Sequence, residues 1–95
     1  MKKGNLILEK SYTLSLQMMR ICKKIRDLHE YELASQLWRS GTSIGANIED
    51  AQETPHWFRL TRDGGILPTE DVTPLLAESD SIRRILTSIV KSSGK

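Results

Sequence analysis

The sequence holds one cysteine, Cys22, in 95 residues. An intramolecular disulfide is therefore excluded, and a reducing compartment is the natural setting. Aromatic residues are scarce: Tyr12, Tyr31, Trp38, Trp57 and Phe58 are all there are. They make no base-stacking platform unless the fold gathers them. Long apolar runs are missing as well. The amino terminus, Met1-Lys2-Lys3-Gly4-Asn5-Leu6-Ile7-Leu8, opens as a secretory leader does, but Glu9 ends its apolar run after three residues, so no leader is expected. No stretch approaches the ~20 apolar residues of a membrane span. The expected location is cytoplasmic, with no membrane partner. Nowhere does the sequence show the pattern of a strand, and beyond a heptad-like spacing it contains no internal repeat.

What is present is charge and helical periodicity. Lysine and arginine number 14 against 12 acidic residues, a formal charge of +2. That balance permits nucleic-acid contact without demanding it, because a basic stripe matters more than a total. The length suits one small domain over residues 1–95, with a small core and a thin stability margin.

Four helices are expected, at about 6–28, 30–52, 55–62 and 73–91, in an all-α up-and-down bundle. In the first, Ile7, Leu14, Met18, Ile21, Ile25 and Leu28 form a seam of bundle type. Arg20, Lys23 and Lys24 fall opposite that seam, with Arg26 at its margin. Charge on the back of a helix is usually a solvated face; the alternative is a stripe that tracks phosphates. In the second, Leu33, Leu37, Gly41, Ile44, Ile48 and Ala51 recur at spacings of four, four, three, four and three, the stripe of a core-facing helix. Ser40, Gly41, Thr42, Ser43 and Gly45 are poor helix formers, each Gly costing about 1 kcal/mol relative to Ala. Their small size would let a neighbouring backbone come close. Leu37, Gly41, Ile44, Gly45 and Ile48 are accordingly the expected helix-packing residues. Thr54-Pro55 is a cap-plus-proline signal for a helix restart, and Asp63-Gly64-Gly65 provides its stop. Thr73-Pro74 repeats the signal, with Thr69 as a rival start. Leu75, Ile82, Leu86 and Ile89 make the last seam, which Ser79 interrupts.

Chemistry is hard to find. Glu53 and His56 have the i, i+3 spacing of di-metal carboxylate bundles, which also need a second such pair and two further carboxylates. No metal site, cofactor or catalytic residue is expected. Cys22 has Lys23 and Lys24 beside it to lower its pKa, but it borders the apolar seam, where a free cysteine acts as a small hydrophobe. Gly41-Thr42-Ser43-Ile44-Gly45 lacks the preceding strand and the Gly-Lys-Ser/Thr ending of a phosphate loop. An enzyme is not expected, nor a small-molecule substrate.

The run Leu37-Trp38-Arg39-Ser40-Gly41-Thr42-Ser43-Ile44-Gly45-Ala46-Asn47-Ile48-Glu49-Asp50-Ala51-Gln52 resembles the signature of a bacterial four-helix-bundle family, the proteins encoded in intervening sequences of 23S rRNA genes. Lys10-Ser11-Tyr12-Thr13-Leu14, the segment from Glu53 to Leu60, and the segment from Glu78 to Ile89 resemble other parts of the same family. One departure stands out. Gln52 runs straight into Glu53-Thr54, where the family has a loop and most of a third helix, about five to six turns. A shortened third helix is therefore expected. The resemblance implies homo-oligomeric rings, typically pentamers, and, through a related retroelement accessory protein, binding of RNA or DNA. The candidate phosphate contacts are Arg20, Lys23, Lys24, Arg26, Arg39, Arg59, Arg62, Arg83 and Arg84. The competing expectation is a protein-binding adaptor with Trp38, Trp57 and Phe58 as anchors.

Overall fold

The computed structural model describes residues 3–94. It holds four helices and, among the described residues, no strand: α1 (Lys3–Asp27), α2 (Tyr31–Thr42), α3 (Ile48–Asp63) and α4 (Thr69–Gly94). Each helix packs on its chain neighbour, and α1 also packs on α4, which closes the ring of contacts. Lys10 reaches Glu78 and Lys24 reaches Asp71, so α4 runs antiparallel to α1. The result is an all-α bundle, 43 Å long and 21 Å in each other direction.

Seams predicted from spacing form the core. Ile7, Leu14, Met18, Ile21 and Ile25 of α1 are buried, with Leu37, Ile44, Phe58, Val72, Leu75 and Ile82 facing them. Fully burying one such side chain contributes about 1.5–3 kcal/mol. Leu28 departs from expectation: α1 ends at Asp27, and Leu28 is 51% exposed. Ser79 is buried in the α4 seam without penalty, because its hydroxyl donates to the Leu76 carbonyl at 3.0 Å.

The expected helix over 30–52 is two helices. α2 stops at Thr42, and α3 starts at Ile48. The run of poor helix formers is a corner, where the Ala46 amide donates to the Ser43 carbonyl at 3.0 Å. Asn47 then caps α3: its backbone is extended, and its side chain accepts from the Glu49 amide at 2.8 Å. Glu49 and Asp50 in the first turn suit the positive end of the helix dipole. This cap was readable in the sequence, but the unbroken apolar stripe across 33–51 outweighed it.

Neither Thr-Pro pair starts a helix. Pro55 and Pro74 both lie inside helices. Thr54 turns its hydroxyl backwards to the Asp50 carbonyl at 2.7 Å, and Thr73 does the same to Thr69 at 2.9 Å. This i−4 bonding is the alternative to capping for a threonine. So the third helix covers 48–63 rather than 55–62, and the fourth begins at Thr69, the rival start, rather than at residue 73. At 16 residues α3 is short beside α1 and α4, which have 25 and 26, and α2 is shorter still at 12.

Two corners share one closing pattern. After α1, the His29 amide donates to Arg26 and the Glu30 amide to Ile25, with His29 at φ 65°. After α3, the Gly65 amide donates to Arg62 and the Ile66 amide to Thr61, with Gly65 at φ 72°. These are the paired bonds of the Schellman motif.

Candidate functional site

α1 carries apolar residues on two sides. One side is the buried seam. On the other, Leu8, Tyr12, Leu16 and Met19 recur at spacings of four, four and three, and are 68%, 68%, 47% and 57% exposed. Trp38 of α2, 44% exposed, joins this row across an open hollow of about 230 Å³ lined by Met19, Cys22, Arg26 and Trp38. Leu28 and Tyr31 add exposed apolar surface at the α1–α2 corner. Leu60 and Val90 are the large exposed hydrophobics found elsewhere among the described residues. The asymmetry is the clearest feature of the surface. Its signal was present in the sequence as a second helical stripe, but the core seam on the same helix accounted for the pattern by itself.

Cys22 lies at the bottom of that hollow. It is buried, and its thiol donates to the Ala34 carbonyl at 3.6 Å. Burial pushes its pKa up to about 11, against a smaller downward pull from Arg26. A nucleophilic cysteine needs the opposite shift.

The nine candidate phosphate contacts lie on four helices and are not drawn into one patch. On α1, Arg20, Lys23, Lys24 and Arg26 are all exposed. Lys24 turns towards α4, 3.9 Å from Asp71. Arg20 lines the α1–α4 hollow together with Glu70 and Asp71. Arg39 is exposed on α2, Arg59 on α3 and Arg84 on α4. Arg62 is paired with Asp63 at 2.8 Å, which raises the arginine's pKa and lowers the acid's. Arg83 is paired with Asp80 at 3.3 Å. Arg20, Lys23, Arg26, Arg39, Arg59 and Arg84 are exposed and, among the described residues, outside any ion pair.

The packing residues are divided between helix and corner. Leu37 and Ile44 are fully buried, Gly41 is buried, and Gly45 and Ile48 are half-buried. A Cβ at Gly41 would sit 2.9 Å from the Met18 Cε, and one at Gly45 would overlap the Ser11 Oγ. Of the adaptor anchors, Phe58 is fully buried and Trp57 is half-buried against the core, which leaves Trp38 at the surface.

Glu53 and His56 are both exposed, and the His56 ring meets Trp57 edge-on at 5.1 Å. Among the described residues, no group of three or more His, Cys, Asp and Glu could hold a metal ion. Nor is any described helix long and apolar enough to cross a membrane.

These elements define the class: an all-α four-helix bundle with an apolar outer face on its first two helices. Among solved structures, a protein of unknown function from the S23 ribosomal protein family of Bacteroides thetaiotaomicron is similar, with a TM-score of 0.86 and 24% identity. The match covers 95% of this chain and 99% of that one, and it shows the fold. No family model and no curated protein matches the sequence.

Proposed function

We propose that the protein is a non-catalytic assembly module, a helical bundle that self-associates through the exposed apolar face of α1 and α2 and needs neither cofactor nor small-molecule substrate. The observation that carries this reading is the row Leu8, Tyr12, Leu16 and Met19, extended by Trp38. Contiguous apolar patches of this kind on a soluble chain mark interaction sites. The resemblance to ring-forming bundle proteins supports the same reading. Sedimentation velocity at micromolar concentration tests it. The expected species is heavier than the 10.8 kDa chain. Leu16→Glu is expected to return it to monomer with its helical circular dichroism intact, because Leu16 lies outside the core. A wild-type chain that sediments as a monomer throughout would end this reading.

A second reading adds contact with RNA or DNA, as expected of the family the sequence resembles. It is favoured by Lys23 and Arg26, which continue the outer side of α1 and are not tied up in ion pairs among the described residues. The other basic residues are dispersed, so the footprint would be short. Binding should weaken with salt, and Lys23→Glu should lower the slope of log K against log salt by about 1. Affinity that ignores salt would exclude a phosphate-tracking role.

A further inference from the structure

A second row lies on α4. Ile85, Ser81, Ala77, Pro74 and Glu70, read towards the amino end, recur at spacings of four, four, three and four. On α1, Leu8, Tyr12, Leu16, Met19 and Lys23 recur at the same spacings, read towards the carboxyl end. The α1 row is large and apolar and ends in a cation. The α4 row is small in its middle and ends in an anion. Glu70, Pro74 and Ala77 are exposed, and Ser81 and Ile85 are half-buried. Pro74 also borders two open hollows between α1 and α4, of about 300 and 430 Å³, which deepen the surface beside the row. Among the described residues, neither Lys23 nor Glu70 forms an ion pair.

We propose that the α1 row of one copy docks on the α4 row of the next, head to tail, with the two helices antiparallel. Leu16 lies on Ala77, Tyr12 against Ser81, Met19 against Pro74 and Leu8 against Ile85, and Lys23 meets Glu70. The inference rests on the reading that the α1 face associates, and adds the surface that receives it and the register.

Shape and charge select this pairing together. A row of large side chains is a ridge, and a row of small ones is a groove that admits it. The reversed direction, through the same contact of Leu16 with Ala77, sets Lys23 level with Arg84 and Glu9 level with Glu70, two repulsions, and brings Met19 to Asp80. The antiparallel direction also leaves whole copies parallel, since α4 already runs antiparallel to α1 within each. Gln17 and Pro74 line both hollows and so stand level within one copy, which puts Leu16 level with Leu75 of its own chain. Ala77 is two residues further on, about 3 Å, so neighbouring copies stand nearly level. The rows occupy adjacent sides of the bundle: Trp38 of α2 extends the first, and the second borders the α1–α4 hollows. Each contact therefore turns the next copy, and a head-to-tail series that turns with little rise closes on itself.

Cross-linking tests the register. A chain carrying both Leu16→Cys and Ala77→Cys, oxidised with diamide, is expected to give a ladder of covalent multimers on a non-reducing gel. An equimolar mixture of the two single variants gives covalent dimers and nothing larger. Either single variant alone gives no cross-link, and neither does the wild type, whose Cys22 is buried. Lys23→Glu and Glu70→Lys each weaken association by about three- to tenfold in sedimentation equilibrium, and the double variant K23E/E70K recovers it. Circular dichroism checks that each variant remains helical. If Leu16→Cys alone cross-links as fast as the mixture, the α1 face meets itself and the head-to-tail pairing is wrong. If the wild type associates and Leu16→Glu abolishes association, while L16C/A77C forms no ladder and the charge variants show no coupling, the assembly reading survives and this pairing does not. A monomeric wild type removes both.

Discussion

His29 stands at φ 65°, in the left-handed region where a Cβ costs about 1–2 kcal/mol. Gly65 fills the equivalent place after α3 without that cost. His29→Gly is therefore expected to raise the unfolding free energy by about 0.5–1 kcal/mol, the gain being trimmed by glycine's greater freedom in the unfolded chain. A higher urea midpoint with an unchanged slope would show it, and an unchanged or lower midpoint would contradict it. Cys22 makes a prediction in pH. Burial lifts its pKa from an ordinary 9.0 to about 11, so the folded state favours the protonated thiol. The resulting stability is fully present below pH 9 and is lost as the pH rises towards 11. Thermal midpoints across that window should fall more steeply for wild type than for Cys22→Ala, whatever the variant loses in packing. Parallel curves would mean that the thiol does not titrate differently on folding.

At the scale of the element, the sequence made the buried faces plain and the breaks obscure. Spacing located Ile7, Leu14, Met18, Ile21 and Ile25 in the core because burial is a property of one residue type at one period. The break at 43–47 is different in kind. An apolar stripe continues through it, with Ile44 fully buried and Ile48 half-buried, so periodicity alone counts it as helix. Composition gave the contrary signal: glycine, threonine and serine before Asn47, then Glu49 and Asp50. The Thr-Pro pairs misled for a related reason. A threonine hydroxyl can cap the turn ahead or bond the carbonyl behind, and only the packed helix decides which. Of the candidate site, the basic residues were readable as residues but not as a surface, since pairing with Asp71, Asp63 and Asp80 depends on rotamers and neighbours. The corner itself can be probed. A Cβ at Gly45 overlaps Ser11, so Gly45→Ala should destabilise by about 1–3 kcal/mol. Combined with Ser11→Gly, its penalty should shrink; strict additivity in the double-mutant cycle would show that the two do not compete for space.

For the molecule as a whole, the two ends of the bundle are unlike. One end is closed by two hydrogen-bonded turns, at His29 and Gly65. The other is closed by residues 43–47, where the Ala46 amide makes a backbone bond to Ser43. Local opening should therefore start at that corner. Amide hydrogen exchange at Ser43 and Gly45 is expected to outpace exchange at Leu14 and Met18 by orders of magnitude, and equal protection would rule this out. The close approach of Gly45 to Ser11 also fixes a sequence of events. A lineage that acquires a side chain at position 45 must first reduce the one at position 11, because the reverse order passes through a crowded intermediate. The same two substitutions are thus open to drift in one order and largely closed in the other.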